Sequence, residues 1–186
     1  ERGISTSLIQ NLKEGEKVFL MGPTGSTPKI STGQNVLIAG GGSGNAVLLS
    51  VAKALKEQNN NVLYFAGYRK SDEVFDREII ENSSDKVIWC SEEGDISPAR
   101  EQDSFFRGTI IEGIKDYVGH DKDLKKINKI ITAGSPEMMK GIRDARRTFL
   151  KEYLNGHEAV ANINSPMQCM MKAVCARCLL RNTDPE

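Results

Sequence analysis

The sequence is poor in cysteine, histidine and aromatic residues, and neither sign of charge is in excess. Four cysteines in 186 residues are too few for a disulfide scaffold, and three of them crowd together at Cys169, Cys175 and Cys178, so a cytoplasmic setting is expected. The two histidines, His120 and His157, lie apart in polar segments and offer no metal-ligand pattern. Lys and Arg number 25 and Asp and Glu also number 25, a balance that argues against nucleic acid or an acidic membrane surface as partner. The longest apolar stretches, such as Val47 to Ala54 with Ser50 inside it, fall far short of the roughly 20 residues that a membrane-spanning helix requires. A signal-peptide pattern is also missing. The chain opens on Glu1 rather than Met, which leads us to expect an excised piece of a longer protein.

What is present is alternation. Short apolar runs at Asn35 to Ala39, Asn61 to Gly67, Lys86 to Cys90, Ile127 to Ala133 and Glu158 to Ile163 read as strands. Between them, Ala46 to Glu57, Glu73 to Ile80, Gly108 to Val118 and Pro136 to Tyr153 carry apolar residues three and four apart and read as helices. Strands alternating with helices give βαβ units, hence an α/β class with a doubly wound, mostly parallel sheet. Ligands of such sheets bind at the carboxyl ends of the strands. Cys90, after Val87-Ile88-Trp89, reads as a small buried hydrophobe.

The first strand runs into Gly40-Gly41-Gly42-Ser43-Gly44-Asn45 and then a helix. Glycines there let the backbone turn tightly and approach a pyrophosphate, whose charge is met by N–H groups and the positive end of the helix. A tight structural turn is the plainer alternative. A P-loop is excluded, because neither 40–45 nor 22–29 supplies Gly-Lys-Ser/Thr after the required spacing. A hydrolase elbow is excluded as well, since Gly41-Gly42-Ser43-Gly44 is followed by Asn45. The second strand ends in Gly67-Tyr68-Arg69-Lys70, without the acid that usually grips a ribose at that place. Arg69 and Lys70 are suited to a 2′-phosphate or form a solvated pair.

Taken in order, Gly22-Pro23-Thr24-Gly25, then Val36 to Gly44, then Gly67-Tyr68-Arg69, then Ala133 to Met139 resemble the pyridine-nucleotide domain of the ferredoxin-NADP reductase superfamily. The branch most similar is the electron-transfer subunit of dihydroorotate dehydrogenase. The resemblance covers about Leu8 to Ile163. It implies a Rossmann-like sheet of about five strands in the order 3-2-1-4-5, and NAD or NADP bound beside a flavin (FAD or FMN) that a β-barrel upstream would hold. Carried across, Gly40, Gly41, Gly42, Ser43, Gly44 and Asn45 would line the pyrophosphate turn. Tyr68 and Arg69 would neighbour the adenosine ribose, and Gly134, Ser135, Pro136 and Met138 the nicotinamide. The family's usual Cys-Gly-Pro is replaced here by Ala133, Gly134 and Ser135, which removes a cysteine from the nicotinamide side.

Three segments follow from this reading: 1–31 as a linker or edge from the upstream barrel, 32–163 as the nucleotide domain, and 164–186 as a cysteine-containing tail. Cys169, Cys175 and Cys178 are similar to a loop that holds a [2Fe-2S] cluster, which needs four thiolates; the fourth would lie beyond Glu186. The other reading is a helix packed through Cys175 and Cys178. The implied function is that of the nucleotide-binding part of a flavin-dependent oxidoreductase with a redox partner protein or subunit, inactive as an isolated segment. The alternative is a nucleotide-binding sensor or assembly module without redox chemistry.

Overall fold

The computed structural model describes residues 4–19, 29–120 and 123–163. Two compact units are distinguished, Glu1–Thr27 with Met167–Glu186 and Pro28–Pro166. In the first unit the described residues include a short helix, α1 (Ile4–Ile9), where the sequence suggested a β edge or linker. The Gly22 to Gly25 motif and the three clustered cysteines lie outside the described residues.

The second unit has the expected α/β architecture. Six parallel strands form its sheet: β1 (Asn35–Gly41), β2 (Asn61–Lys70), β3 (Lys86–Glu93), β4 (Ser104–Arg107), β5 (Lys129–Gly134) and β6 (Glu158–Ile163), in the order β4-β3-β2-β1-β5-β6. The five runs read from the sequence take the expected relative order, with β1 central. The count is corrected by β4, a four-residue edge strand whose identity depends on pairing Ile88 to Ser91 with Ser104 to Arg107. A run so short, half-buried on an edge, carries little periodicity of its own.

Helices cover both faces, so strand residues are buried on both sides and read as near-continuous apolar runs. Along β2, Val62, Tyr64, Ala66 and Tyr68 enter one core layer with Leu48, Ala52 and Leu55 of α2 (Gly44–Glu57) and Ile80 of α3 (Arg77–Asn82). Phe65 enters the opposite layer with Ile110, Ile114 and Val118 of α4 (Ile110–His120) and Ile142 and Ala145 of α5 (Pro136–Arg147). Every position of β5 is buried.

Two helices differ from their expected extents. The segment read as one helix over Glu73 to Ile80 is a 3₁₀ turn at Ser71–Glu73 followed by α3, with Asp76 between them in the left-handed region at φ 47°. Val74 and Phe75 turn into the core there, and Phe75 meets Tyr68 edge-on at 5.9 Å. The segment Pro136 to Tyr153 breaks at Thr148, whose Oγ1 donates to the Asp144 carbonyl at 2.8 Å, before a 3₁₀ turn at Phe149–Glu152. Ser and Thr compete in this way for helix carbonyls.

Candidate functional site

In the chain the sheet grows from β1 through β2 and β3 to β4 on one side, then returns by α4 to β5 on the other. Strand order therefore switches direction between β1 and β5, and their carboxyl ends flank the crevice where open α/β sheets bind ligands. The glycine turn after β1 and the Gly134-Ser135-Pro136 segment after β5 come together there. A Cβ on Gly44 would lie within 2.8 Å of the Gly134 nitrogen and overlap the Ala133 carbonyl. Cβ atoms on Gly41 and Gly134 would both overlap the Met138 sulfur, and Gly134 would also approach the Gly41 Cα to 3.5 Å. Glycine at 44 is a condition of the close approach of the two backbones, whereas at 41 and 134 the overlap is with the flexible end of the Met138 side chain.

Gly42 differs from its neighbours. It takes φ 52° and has nothing within 4 Å of the position a Cβ would occupy, so it needs glycine for conformation and leaves open space above the turn. Ser43 is exposed beside it. The 14-residue α2 begins at Gly44 with no acidic residue in its first turn, and its positive end is available to an anion. A backbone cradle with open space and no competing carboxylate fits a pyrophosphate.

Asn45 has a different part. It is fully buried, its Nδ2 donates to the Gly42 carbonyl at 3.1 Å and to the Gly67 carbonyl at 3.3 Å, and its Oδ1 accepts from Tyr64 Oη at 3.1 Å. With the Gly42 N–H donating to Gly67 O at 2.8 Å, these bonds staple the turn to β2. Burial raises the Tyr64 phenol far above its ordinary range, with a smaller contribution from Tyr68, so the hydroxyl stays protonated and keeps donating. Tyr64 was not legible as a site residue; its only signal was a phenol on a strand buried on both faces.

The remaining expected residues are distributed as follows. The Tyr68 ring lies in the core, 4% exposed, stacked on Trp89 with centroids 6.5 Å apart, and burial pushes its phenol upward as well. Arg69 is exposed and pairs with Glu93 at 3.8 Å, while Lys70 pairs with the same carboxylate at 3.7 Å. Ser135 caps α5, its Oγ accepting from Met138 N at 3.2 Å, and Pro136 follows in the first turn, a common helix start. Met138 is half-buried between the ends of β1 and β5. Cys90 is buried against α4, its thiol pushed up to about 12 by desolvation, which makes it inert at neutral pH. Among the described residues no group of three His, Cys, Asp or Glu is placed to hold a metal ion, and no helix is long and apolar enough to cross a membrane.

No protein-family model matches the chain. It is similar to an uncharacterised protein of Rickettsia prowazekii, 30% identical over 179 residues, covering 96% of this chain and 17% of that one. It is 28% identical over 187 residues to the dihydroorotate dehydrogenase B (NAD(+)) electron transfer subunit of Streptococcus pneumoniae, covering 99% of this chain and 64% of that one. Against the corresponding subunit of Caldanaerobacter subterraneus the identity is 31% over 144 residues, covering 77% and 50%. The chain thus spans less than two thirds of the length of these curated relatives. Among solved structures, an NADH-dependent reduced ferredoxin-NADP oxidoreductase matches with a TM-score of 0.66 at 24% identity, covering 93% of this chain and 57% of that one. The C-terminal domain of a hydrogenase from Pyrococcus furiosus matches with a TM-score of 0.53 at 18% identity, covering 76% and 99%. The chain is therefore similar in sequence to dihydroorotate dehydrogenase B electron transfer subunits, and it shares its α/β fold with the ferredoxin-NADP oxidoreductase and hydrogenase-domain structures.

Proposed function

We propose that the second unit binds NAD(P)H and presents its nicotinamide to a flavin, as part of an oxidoreductase that passes electrons on to a further redox centre. The observation that carries this reading is the glycine turn of β1 meeting the end of β5 at the switch point, with open space over Gly42 and the start of α2 behind it. Gly40, Gly41, Gly42, Ser43 and Gly44 line the turn that receives the pyrophosphate. Asn45 and Tyr64 act behind them as positioning residues. Gly134, Ser135, Pro136 and Met138 border the nicotinamide end, and Arg69 and the backbone of Tyr68 the adenosine end. Bound there, the cofactor supplies a hydride. The residues around it exclude water and fix its approach; none of them is placed as a proton donor.

The names of the relatives support an electron-transfer role with a partner subunit. The flavin, FAD or FMN, belongs in this reading to a domain that precedes the segment. A [2Fe-2S] cluster on Cys169, Cys175, Cys178 and a fourth thiolate completes it in the cytoplasm, and anaerobic reconstitution with iron and sulfide of a polypeptide extended past Glu186 tests that part by its visible absorption. Nucleotide binding is tested by calorimetry with NADH, NADPH and ADP-ribose. Heat on titration with ADP-ribose is expected, and none with any of the three at about millimolar concentration overturns the reading.

A further inference from the structure

Resting on the nucleotide reading above, the structure assigns Glu93 as a specificity-determining residue that turns the adenosine end toward NADH and away from NADPH. β1 ends beside the glycine turn, where Gly41 pairs with Gly67. β2 and β3 run on beyond that level, to the pair Lys70 and Glu93. Three further residues of strand extend the rim by about 10 Å, on the β2 side where nucleotide ribose is read in doubly wound folds. Arg69 and Lys70 are the cations a 2′-phosphate would need, and both are already engaged by the Glu93 carboxylate.

That engagement is built into the backbone. Gly94 follows Glu93 at φ 78°, and a Cβ there would overlap Ser71 Oγ, so the end of β3 rests against the residue that follows β2. Ser91 Oγ donates to the Gly94 carbonyl, and Arg107 pairs with Asp95 at 2.6 Å. The remaining charge on the rim is acidic: Asp72, Glu73 and Glu92 are exposed on the same two segments. The 2′-phosphate of NADPH brings close to two further negative charges into this field, whereas the 2′-hydroxyl of NADH brings none. Arg69, Lys70 and Glu93 are each at least half-exposed, so each pairing is individually weak. Discrimination is therefore a matter of summed charge and is sensitive to salt.

The test is calorimetric titration of the full chain with NADH, NADPH, 5′-AMP and 2′,5′-ADP. NADH is expected to bind about tenfold more tightly than NADPH at low ionic strength, 5′-AMP more tightly than 2′,5′-ADP, and both gaps are expected to narrow as salt is raised. Glu93→Gln, at an exposed site that the fold does not need, is expected to strengthen NADPH about tenfold while NADH changes by less than about twofold. Adding Arg69→Ala and Lys70→Ala to that variant is expected to abolish the gain. Equal or tighter binding of NADPH by the unaltered protein overturns the assignment, as does a Glu93→Gln effect that is the same for both nucleotides. Failure of all four ligands to bind overturns the nucleotide reading and the assignment with it, and is distinguishable from loss of discrimination alone.

Discussion

The two ends of the parallel sheet are closed by different means. At the amino end, side chains satisfy the backbone groups where strands begin. The Gln34 N–H donates to Asn60 Oδ1 at 2.8 Å, the Asn35 N–H to Asn128 Oδ1 at 2.9 Å, the Val62 N–H to Asp85 Oδ2 at 2.7 Å and the Val87 N–H to Asp103 Oδ1 at 2.8 Å. Lys129 reaches along the same edge, donating to the Lys29 carbonyl at 2.7 Å and pairing with Glu158 at 3.2 Å. At the carboxyl end, from β1 to β5, glycine replaces these side chains and backbone meets backbone. Strand ends carry polar groups that must be paired; this fold pairs them through side chains at one end and leaves the other to turns and a capped helix, where the proposed nucleotide site lies. On that proposal, stability and binding fall to opposite edges of the same sheet.

Substitutions that cross this division are informative. The largest effect is expected from Gly44→Val. Its side chain would occupy the space of the Ala133 carbonyl and Gly134 nitrogen, and forcing the two strand ends apart should cost about 3 kcal/mol and abolish nucleotide binding in the protein that still folds. Denaturant titration and calorimetry read the two losses separately. At the opposite edge, Asp103→Ala should be comparably destabilising, about 3 kcal/mol. Its buried carboxylate holds Arg100 at 2.8 Å as well as the start of β3, and Arg100 in turn binds the Ser84 carbonyl at 3.0 Å. Nucleotide affinity of the folded fraction should be unchanged. If both variants lost binding equally, the division between edges would not hold.

Asn45→Ala sharpens the comparison, because it removes a side chain of the amino-end type that happens to work at the carboxyl end. Two carbonyls and the Tyr64 hydroxyl lose their partner, a cost of about 2 kcal/mol, and nucleotide affinity should fall with it. Tyr64→Phe should reproduce part of that fall through Asn45. Asn128→Ala, removing an exposed bond to the Asn35 N–H, should cost about 1 kcal/mol with binding unaltered. The smallest effect concerns α4. Thr109 and Glu112 cap it reciprocally, with Thr109 N and Oγ1 each donating to Glu112 Oε2 at 2.8 Å and Glu112 N donating to Thr109 Oγ1 at 3.3 Å. The backbone bond, then the side-chain bond, lowers the Glu112 carboxyl below its ordinary 4.5. A depressed carboxyl stabilises the fold above its unfolded pKa and loses that contribution as the pH falls through its folded pKa. Thr109→Ala should therefore cost about 1 kcal/mol at neutral pH and, since the larger backbone bond remains, only partly reduce the dependence of stability on pH below 4.5, measured by thermal melts across that range.

The apolar runs of five strands announced themselves because strands buried on both faces must be apolar throughout. The place of the glycine turn was equally plain, because a glycine cluster between a strand and a helix marks a tight turn. β4 was hidden, since Ser104-Phe105-Phe106-Arg107 becomes a strand only by pairing with β3. The break inside the segment 73–80 was hidden for a similar reason: Val74 and Phe75 fit a helical spacing, and only the pocket beside Tyr68 draws them out of it.

By itself, the sequence determined the class of fold and the place of the glycine turn, because these depend on local periodicity and on residues whose backbone freedom is intrinsic; the relative order of five strands was implied by the resemblance to a known family. Tertiary structure alone decided which polar side chains hold the frame and which meet one another across strands. Asn45 stands in the glycine motif yet is consumed by Gly42, Gly67 and Tyr64; Tyr68 ends in the core; Glu93 meets Arg69 and Lys70. Each outcome depends on register between strands that are distant in sequence, and register is fixed only when both faces of the sheet are buried at once.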